Sequence, residues 1–355
     1  MGSAVSFAKA MSVHAIDPLT DGRWDRLVEG HAQATAFHEK AWLQALARTY
    51  GFRPMALTTA SPGQPLADGV AFCHVSSWLT GSRMVSLPFA DHCQPLLDHP
   101  EQLALFADWL RSECDRRRSK YVELRPLSSI QGIGGDMQAT GSYCFHSLDL
   151  TPGVERLFRG LHKDSMQRRI RRAEHGGLSY EVGCSRPFVD DFYRLLVITR
   201  RRHHLLPQPR KWFHNLAECF AERAQIRLAK KNGVAVGAIF TLRHGSTVIY
   251  KYGCSDGKFH SLGIMPFLFW RLIEESKISG AEKIDFGRSD LDHQSLITFK
   301  DKFGAQRESI TYYRYTRPEG DKAPLFNFSA VYRYLSILPN SALSLAGGLL
   351  YRHLG

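Results

Sequence analysis

A short stretch in the last quarter of the chain, KIDFGRSDLDHQSLITFKDKFGAQ (residues 283–306), concentrates side chains that can do chemistry. It begins as a buried strand, but Asp285 stands between two apolar residues. Arg288, Ser289 and Asp290 follow a glycine, and we expect them just beyond the C-terminal end of that strand, where open α/β sheets bind ligands. The guanidinium of Arg288 suits bidentate binding of phosphate or carboxylate. Asp285 is either a structural acid paired with a buried base, which is the commoner arrangement, or part of the site.

Two basic segments are candidates for binding an anion. The first, KDSMQRRIRR (residues 163–172), places Lys163, Arg168 and Arg172 on a predicted helix whose buried side carries Leu157, Leu161 and Ile170. Arg168 and Arg172 lie one turn apart, so a nearby anion would relieve their repulsion, although a solvated basic face is an equal alternative. The second, TRRRHH (residues 199–204), lacks interleaved aromatic residues, which favours phosphate contacts over base stacking.

The overall charge also predicts an anionic partner. The 355 residues include 46 Lys and Arg against 34 Asp and Glu, a net charge of +12. This excess favours a nucleic acid, a phosphorylated carrier or a membrane surface. Seven cysteines without a CxxC pair argue against a disulfide framework and a zinc site, and they fit a reducing cytoplasm. The sequence predicts no metal site, no signal peptide and no transmembrane span.

The elements that must position these residues form one layout that occurs twice. In each half, three predicted antiparallel strands are followed by a helix and by one further strand that returns to the sheet. The second of these helices is predicted near residues 264–279, because its apolar residues recur at i, i+3, i+4 and i+7. Further helices precede each set of strands. We therefore predict an α/β (α+β) fold with two similar units, each a mixed, mainly antiparallel sheet flanked by helices.

The predicted domains follow from this repeat. The N-terminal unit spans residues 1–153 and the C-terminal unit residues 154–320. The boundary lies in TPGVERLFRG, where Pro152 and Gly153 interrupt regular secondary structure. Residues 321–355 form a basic amphipathic tail, which either lies on the inner leaflet of a membrane or packs back on the domains.

The paired layout resembles the double GNAT fold of the Fem family, whose members transfer amino acids to peptidoglycan precursors. Three passages carry the resemblance: FHEKAWLQALARTYGF with MVSLPFADHCQPL, LHKDSMQRRIRRAEHGGLSYEV, and GIMPFLFWRLIEESKISGAEKIDFGRSD with ITFKDKFGAQ. The tail LSILPNSALSLAGGLLYRHLG is similar to that of a subgroup found beside exosortase and exopolysaccharide genes in Gram-negative bacteria. The resemblance covers about residues 35–355 and implies two tandem GNAT-like domains, the second a Fem-like acetyltransferase domain.

The resemblance also implies roles for individual residues. Lys300 follows Phe299 as the lysine of the Fem-like motif does, which places it at the transfer site to stabilise an oxyanion. Arg288 would hold the anionic substrate beside Ser289 and Phe299. Lys163, Arg168 and Arg172 would contact the phosphates of a carrier or of tRNA, and Asp285 or Asp290 would help to deprotonate the acceptor.

The loop before the second core helix bears on the acyl donor. Simple GNAT acetyltransferases carry Q/R-x-x-G-x-G/A there and bind the CoA pyrophosphate with backbone N–H groups. In this sequence the stretch His260–Met265 keeps only Gly263 as a candidate pyrophosphate contact. Met265 fills a position that needs a small residue, which counts against acetyl-CoA. We expect no permanently bound cofactor and a donor that is either aminoacyl-tRNA or acyl-CoA.

These observations predict an acyltransferase of the EC 2.3 class, acting by direct attack of an amine or hydroxyl on an activated donor, since no nucleophile motif is present. The expected partners are an anionic, carrier-linked peptidoglycan or exopolysaccharide precursor, tRNA, and the surface of the inner membrane, but not DNA. The expected location is the cytoplasm or the inner face of its membrane. Two alternatives remain: an acetyl-CoA-dependent N-acetyltransferase, and a non-catalytic module that binds anionic polysaccharide or membrane.

Overall fold

Both halves of the chain contribute to one continuous sheet. The computed structural model of the protein describes residues 12–130, 133, 136–318 and 339–355. The strands are β1 (His14–Ile16), β2 (Arg53–Thr58), β3 (Val70–Val75), β4 (Arg83–Val85), β5 (Tyr121–Leu124), β6 (Gln138–Asp149), β7 (Leu178–Gly183), β8 (Ala224–Lys231), β9 (Val234–His244), β10 (Thr247–Ser255), β11 (Lys283–Asp290) and β12 (Gln306–Thr316). Their order across the 12-stranded sheet is β1-β2-β3-β4-β5-β12-β6-β11-β10-β9-β8-β7.

Helices cover this sheet. They are α1 (Gly22–Gly30), α2 (Lys40–Tyr50), α3 (Leu103–Arg116), α4 (Val154–Gly160), α5 (Arg168–His175), α6 (Arg186–Arg202), α7 (Arg210–Phe220), α8 (Ile264–Ile278), α9 (Gln294–Asp301) and α10 (Asn340–Leu350). A π-helical turn, Lys163–Gln167, leads into α5, and a 3-10 turn, Gly257–Leu262, precedes α8. The helix predicted near residues 264–279 is therefore confirmed as α8, and its apolar spacing buries Leu268, Leu272 and Ile273.

The predicted repeat is present in both halves. In the first half β2, β3 and β4 pair antiparallel, and β5 returns parallel to β4 after α3. In the second half β8, β9 and β10 pair antiparallel, and β11 returns parallel to β10 after α8. Among the strands that the structure describes, two pairings are parallel and the others antiparallel, which makes the sheet mixed and mainly antiparallel, as predicted.

Strands β6 and β12 join the two halves. β12 lies between β5 and β6, and β6 in turn pairs with β11. A strand from the predicted second unit thus sits within the sheet of the first. The domain boundaries at residues 153 and 320 stay predictions, and much of the predicted tail, residues 319–338, lies outside the described residues.

One expectation about β11 is wrong. The strand does not end at the glycine after Phe286 but continues to Asp290, so Arg288, Ser289 and Asp290 lie within it. The physical reason is the partner strand, because β6 supplies Phe145, Cys144 and Tyr143 opposite these three residues. Gly287 instead lies where the register between β11 and β6 shifts, and its φ is 69°. The glycine marks a β-bulge inside the strand.

A shared core fixes the two halves relative to each other. One cluster of buried side chains contains residues of α2 from the first half and of α6 and α7 from the second. At its centre the rings of Trp42 and Trp212 meet edge to face, with centroids 5.1 Å apart. Because both indoles are fully buried, the halves cannot separate without exposing them.

The C-terminal residues pack back on both halves. Helix α10 lies against α6, where buried Leu343 joins the shared core. Beyond it, the buried Arg83 of β4 donates from Nε to the backbone O of Gly355 at 2.7 Å and from Nη2 to that of His353 at 2.8 Å. Residues 339–355 are therefore part of the folded body. No helix among the described residues is long and apolar enough to cross a membrane.

Two adjacent glycines of α10 allow a test of this docking. A Cβ on Gly347 would lie 2.1 Å from the backbone O of Pro207, whereas one on Gly348 would have its nearest neighbour, Pro209, 4.0 Å away. We expect Gly348→Ala to raise the free energy of unfolding by up to about 1 kcal/mol, because alanine favours the helix. Gly347→Ala should lower it, since overpacking costs about 1–3 kcal/mol. Urea denaturation measures both, and changes of the same sign would contradict the described packing.

Candidate functional site

Two parallel strands, β10 and β11, stop pairing after a short stretch, and we call the space between their separated parts the cleft. β10 and β11 pair over only three positions, Thr247 to Ile249 opposite Lys283 to Asp285. Beyond these positions β10 continues beside β9, and β11 continues beside β6. Both strands shift register at this point, β10 between Tyr250 and Tyr252 and β11 between Asp285 and Arg288. Two backbone edges therefore face each other without strand pairing, and unpaired edges of this kind can bind an extended ligand.

An ion pair between the halves borders this cleft. Lys251 stands at the irregularity of β10, and its Nζ lies 3.0 Å from Oδ2 of Asp91, which comes from the first half. Burial raises the pKa of the Asp91 carboxyl, but the charge and hydrogen bond of Lys251 outweigh it and hold that pKa below its ordinary value. Asp91 is therefore an ionised carboxylate at neutral pH, and about a fifth of its side chain is exposed.

Gly287 makes room for this carboxylate. A Cβ there would lie 2.8 Å from Oδ2 of Asp91, and the positive φ of 69° is one that other residues rarely adopt. The bulge of β11 thus brings bare backbone up to Asp91, which no other residue type would allow without strain.

Asp285 of β11 contacts a residue of the first half of the chain. Its Oδ2 lies 2.8 Å from Nε2 of His92, and its Oδ1 accepts the N–H of Gly287 at 2.6 Å. Both side chains are buried, and the His92 ring lies edge-on to Phe37 and Phe145. The structural interpretation of Asp285 as a paired buried acid agrees with this geometry, while a catalytic role for it stays a prediction. Nδ1 of His92 has no hydrogen-bond partner within the described part of the chain.

Lys300 donates hydrogen bonds to the bulge of β11. It lies in α9, and its Nζ donates to the backbone O of Gly287 at 2.9 Å, to that of Arg288 at 3.3 Å and to Oγ of Ser289 at 2.9 Å. Burial lowers the pKa of Lys300 to about 8. Since β11 accepts all three contacts, the ammonium acts here as a clamp on the bulge. Its predicted role at an oxyanion stays a prediction, and neighbouring Phe299 packs against Phe269.

The exposed side of the bulge presents Arg288. Its guanidinium carbon lies 4.0 Å above the ring of Tyr143 and 5.4 Å from that of Tyr312, and Nη1 lies 3.1 Å from Oδ1 of Asp290. The hydroxyl of Tyr312 donates to the backbone O of Asp91 at 2.6 Å. Arg288 is thus a partly exposed cation held beside the cleft. It is in a position to bind an anionic group of a substrate, or an oxygen that becomes negatively charged during the reaction.

The structure brings both basic segments to the loop before α8. Lys163, Arg168 and Arg172 are exposed, while Leu157, Leu161 and Ile170 are buried as predicted. From the C-terminal end of α6, Arg202 approaches the loop with Nη1 3.3 Å from Nε2 of His260. The backbone of Arg169 also approaches this loop at Gly263, so both segments contact the loop before α8.

The residues at this loop do not fit a pyrophosphate held by backbone amides. A Cβ on Gly263 would lie 2.6 Å from the backbone O of Arg169, so a carbonyl oxygen already faces the start of α8. The N–H of Gly263 donates to the backbone O of His260 at 3.2 Å, and Pro266 has no N–H to offer. A pyrophosphate placed against Gly263 would meet the carbonyl oxygen of Arg169. The predicted cofactor contact by Gly263 stays a prediction, without support from this geometry.

A metal role receives little support. Asp290, Asp292 and His293 have ligand atoms within 4.8 Å of one another, but all three are exposed, and exposed acidic groups of this kind are common without an ion.

Sequence reasoning missed Asp91, His92 and Lys251. Asp91 and His92 lie in LPFADHCQPL, one of the passages that carried the resemblance, but without a chemical role assigned to them. Lys251 interrupts the apolar strand segment VIYKYG as Asp285 interrupts KIDFG. The sequence did contain one indication of this site, because each of two neighbouring core strands has a charged residue among its apolar residues.

Comparison with known proteins establishes the fold. Residues 161–295 match the family described as "Acetyltransferase (GNAT) domain". No curated protein matches the chain in sequence. Among solved structures, FemX is 14% identical, with a TM-score of 0.65, and the match covers 87% of this chain and 98% of FemX.

Two further structures are similar. The C-terminal domain of a putative lysylphosphatidylglycerol synthetase from Agrobacterium fabrum is 14% identical, with a TM-score of 0.54 and coverage of 84% and 92%. A tandem GNAT protein from the clavulanic acid biosynthesis pathway is 10% identical, with a TM-score of 0.54 and coverage of 88% and 100%. These likenesses confirm the predicted tandem GNAT-like fold.

The first prediction from this geometry concerns Asp285. Asp285→Asn should lower the free energy of unfolding by about 2–5 kcal/mol, because it breaks a buried pair that also accepts the Gly287 N–H. Asp290→Asn, a matched change on the same strand at a half-exposed carboxylate, should stay within about 0.5 kcal/mol. Urea denaturation at neutral pH measures both, and equal effects would show that Asp285 does not connect the halves.

A second prediction concerns Lys300. Its pKa is about 8 in the folded protein against 10.5 ordinarily, so between these pH values the unfolded chain binds more protons. Stability from this group is therefore fully present above pH 10.5 and is lost as the pH falls through 8. We therefore subtract the free energy of unfolding of Lys300→Met from that of the wild type at each pH. This difference should increase as the pH is raised from 8 to 10.5.

The control for Lys300 is Lys302→Met, which leaves Lys300 in place. Tyrosine and cysteine titrations are common to both variants and cancel in the difference. The difference for Lys300→Met should rise more steeply with pH than that for Lys302→Met, and equal slopes would refute the lowered pKa of Lys300.

Proposed function

We propose that this protein is an acyltransferase that moves an aminoacyl or acyl group from an activated donor to an amine or hydroxyl of a cell-envelope precursor. The observation that carries the proposal is the cleft between β10 and β11, bordered by Asp91, Lys251 and Arg288. These residues come from both halves of a GNAT-like fold, so donor and acceptor would meet between the halves. The resemblance to the Fem family and the similarity to FemX support an envelope precursor as acceptor.

The donor we favour is aminoacyl-tRNA. The carbonyl of Arg169 faces Gly263 at the start of α8, which counts against a CoA pyrophosphate at that position. The exposed cations Lys163, Arg168 and Arg172 would instead contact phosphates through their side chains. The aminoacyl end would extend into the cleft between β10 and β11, beside Asp91 and Arg288.

The proposed chemistry is direct transfer. The acceptor nitrogen or oxygen attacks the acyl carbon of the donor ester, the bond from that carbon to the ribose oxygen breaks, and the acceptor proton passes to the leaving oxygen. Asp91 would orient the acceptor through a hydrogen bond and carry the proton, and Arg288 would stabilise the oxyanion. Asp285, Asp290 and Lys300 remain catalytic candidates; of these, Asp285 and Lys300 also hold the bulge that aims Arg288.

We place the reaction in the cytoplasm, at the inner face of the membrane, where carrier-linked peptidoglycan or exopolysaccharide precursors would be the acceptors. Assignment to the exosortase-associated subgroup stays a prediction. An acetyl-CoA-dependent N-acetyltransferase is the second candidate, favoured by the match of residues 161–295 to the acetyltransferase domain.

Calorimetry with bulk aminoacyl-tRNA, uncharged tRNA and acetyl-CoA at two salt concentrations tests the proposal. We expect saturable binding that prefers charged tRNA and weakens with salt, because phosphate contacts release counterions. Arg168→Ala/Arg172→Ala should weaken tRNA binding and reduce the salt dependence by about one unit for each cation removed. Arg26→Ala/Arg53→Ala removes the same charge from exposed positions of the first half and serves as the matched control.

The other outcomes are decisive as well. Saturable binding of acetyl-CoA without a preference for charged tRNA would replace the proposal with the N-acetyltransferase. Binding of neither donor by a folded protein would leave the non-catalytic binding module.

A further inference from the structure

Three large apolar side chains are strongly exposed in one part of the molecule. Trp78, in the loop after β3, is 87% exposed, and Leu345 and Leu349 of α10 are 68% and 63% exposed. Single exposed leucines are ordinary, but a tryptophan this exposed beside two leucines is a feature of interaction surfaces.

These side chains share a surface. Leu345 and Leu349 are four residues apart in α10 and therefore lie on one face. The helix continues into the turn Tyr351–His353, and the ring of His353 lies 5.5 Å from that of Trp78. The loop of Trp78 thus adjoins the end of the leucine face. We call these three side chains the Trp78–Leu349 surface.

Hydrogen bonds and buried contacts fix the Trp78–Leu349 surface to the rest of the protein. The loop of Trp78 is fixed to the C-terminal turn, because Oγ of Ser77 lies 2.9 Å from Nδ1 of His353 and Thr80 donates to the His353 backbone O at 2.8 Å. The opposite face of α10 is buried through Leu343 and Gly347. The exposed groups are therefore presented in a preformed arrangement, which keeps the entropic cost of binding low.

Cations border the surface at both ends. The exposed Arg352 follows Leu349 by three residues, and the exposed Arg201 of α6 has Nη1 3.4 Å from Oδ1 of Asn340 at the start of α10. The sequence contains no Asp or Glu from residue 322 to residue 355. Tryptophan and leucine flanked by arginine is the composition that binds the interface of an anionic bilayer.

We propose that the Trp78–Leu349 surface docks on an anionic lipid bilayer, with Trp78 and the two leucines in the headgroup region and the arginines at lipid phosphates. This goes beyond the proposed transfer reaction, since it names the residues that would hold the protein at the membrane. It concerns a surface formed by other residues than the cleft, so it stands or falls independently of acyl transfer.

Co-sedimentation with vesicles tests the docking without any acyl donor. We expect the full chain to sediment with vesicles of phosphatidylglycerol and phosphatidylcholine, less with phosphatidylcholine alone, and less as salt rises. Leu345→Ser/Leu349→Ser and Trp78→Ala should each reduce the partition coefficient, the double variant by about tenfold or more. Ile278→Ser, at a residue that is 76% exposed at the end of α8, is the matched control and should bind like the wild type.

Several outcomes would overturn the docking proposal. A wild type that stays in the supernatant with anionic vesicles refutes it, as does equal binding by Leu345→Ser/Leu349→Ser.

If the proposal is refuted, sedimentation velocity identifies what covers the Trp78–Leu349 surface instead. A wild-type dimer that the double variant dissociates would show a second copy on this surface. A wild-type monomer, with a lowered melting temperature for the double variant, would show that the chain itself covers it. Loss of tRNA binding in the calorimetry above would leave these results unaffected.

Discussion

The carboxylate of Asp285 is the constraint on which the rest of the site depends. One oxygen holds His92 of the first half, and the other fixes the N–H of Gly287 in the bulge of β11. A buried carboxylate is costly unless it is paired and hydrogen-bonded, so the fold must keep both partners in place. The bulge, the direction of Arg288 and the position of Asp91 beside Gly287 all follow from this arrangement.

The halves therefore act as one unit at the site. Asp91 is brought to the cleft by the first half, while Lys251 and Gly287 come from the second. The fused sheet and the buried contact between Trp42 and Trp212 make their relative position a property of the fold. Precise placement of groups from two units matters for direct transfer, where positioning replaces a covalent intermediate.

Local patterns predicted the local structure well. The repeat of strands, the apolar face of α8 and the pairing of Asp285 with a buried base follow from periodicity and from the cost of an unpaired charge. The partner of Asp285 could not be predicted, since His92 lies 193 residues away. The insertion of β12 between β5 and β6 depends on similarly distant contacts, which leave no periodic signal in one sequence.

The same layout in both halves differs, among the described residues, after the parallel strand pair. In the first half β4 pairs with β5 over Met84 and Val85, and the chain then stays bonded to the end of β5. Ser86 donates its N–H to the backbone O of Glu123, and Cys93 donates to that of Arg125. With β12 on the other edge of β5, no backbone edge of that strand pair remains open. The first half thus closes its own cleft and contributes Asp91 to the cleft of the second.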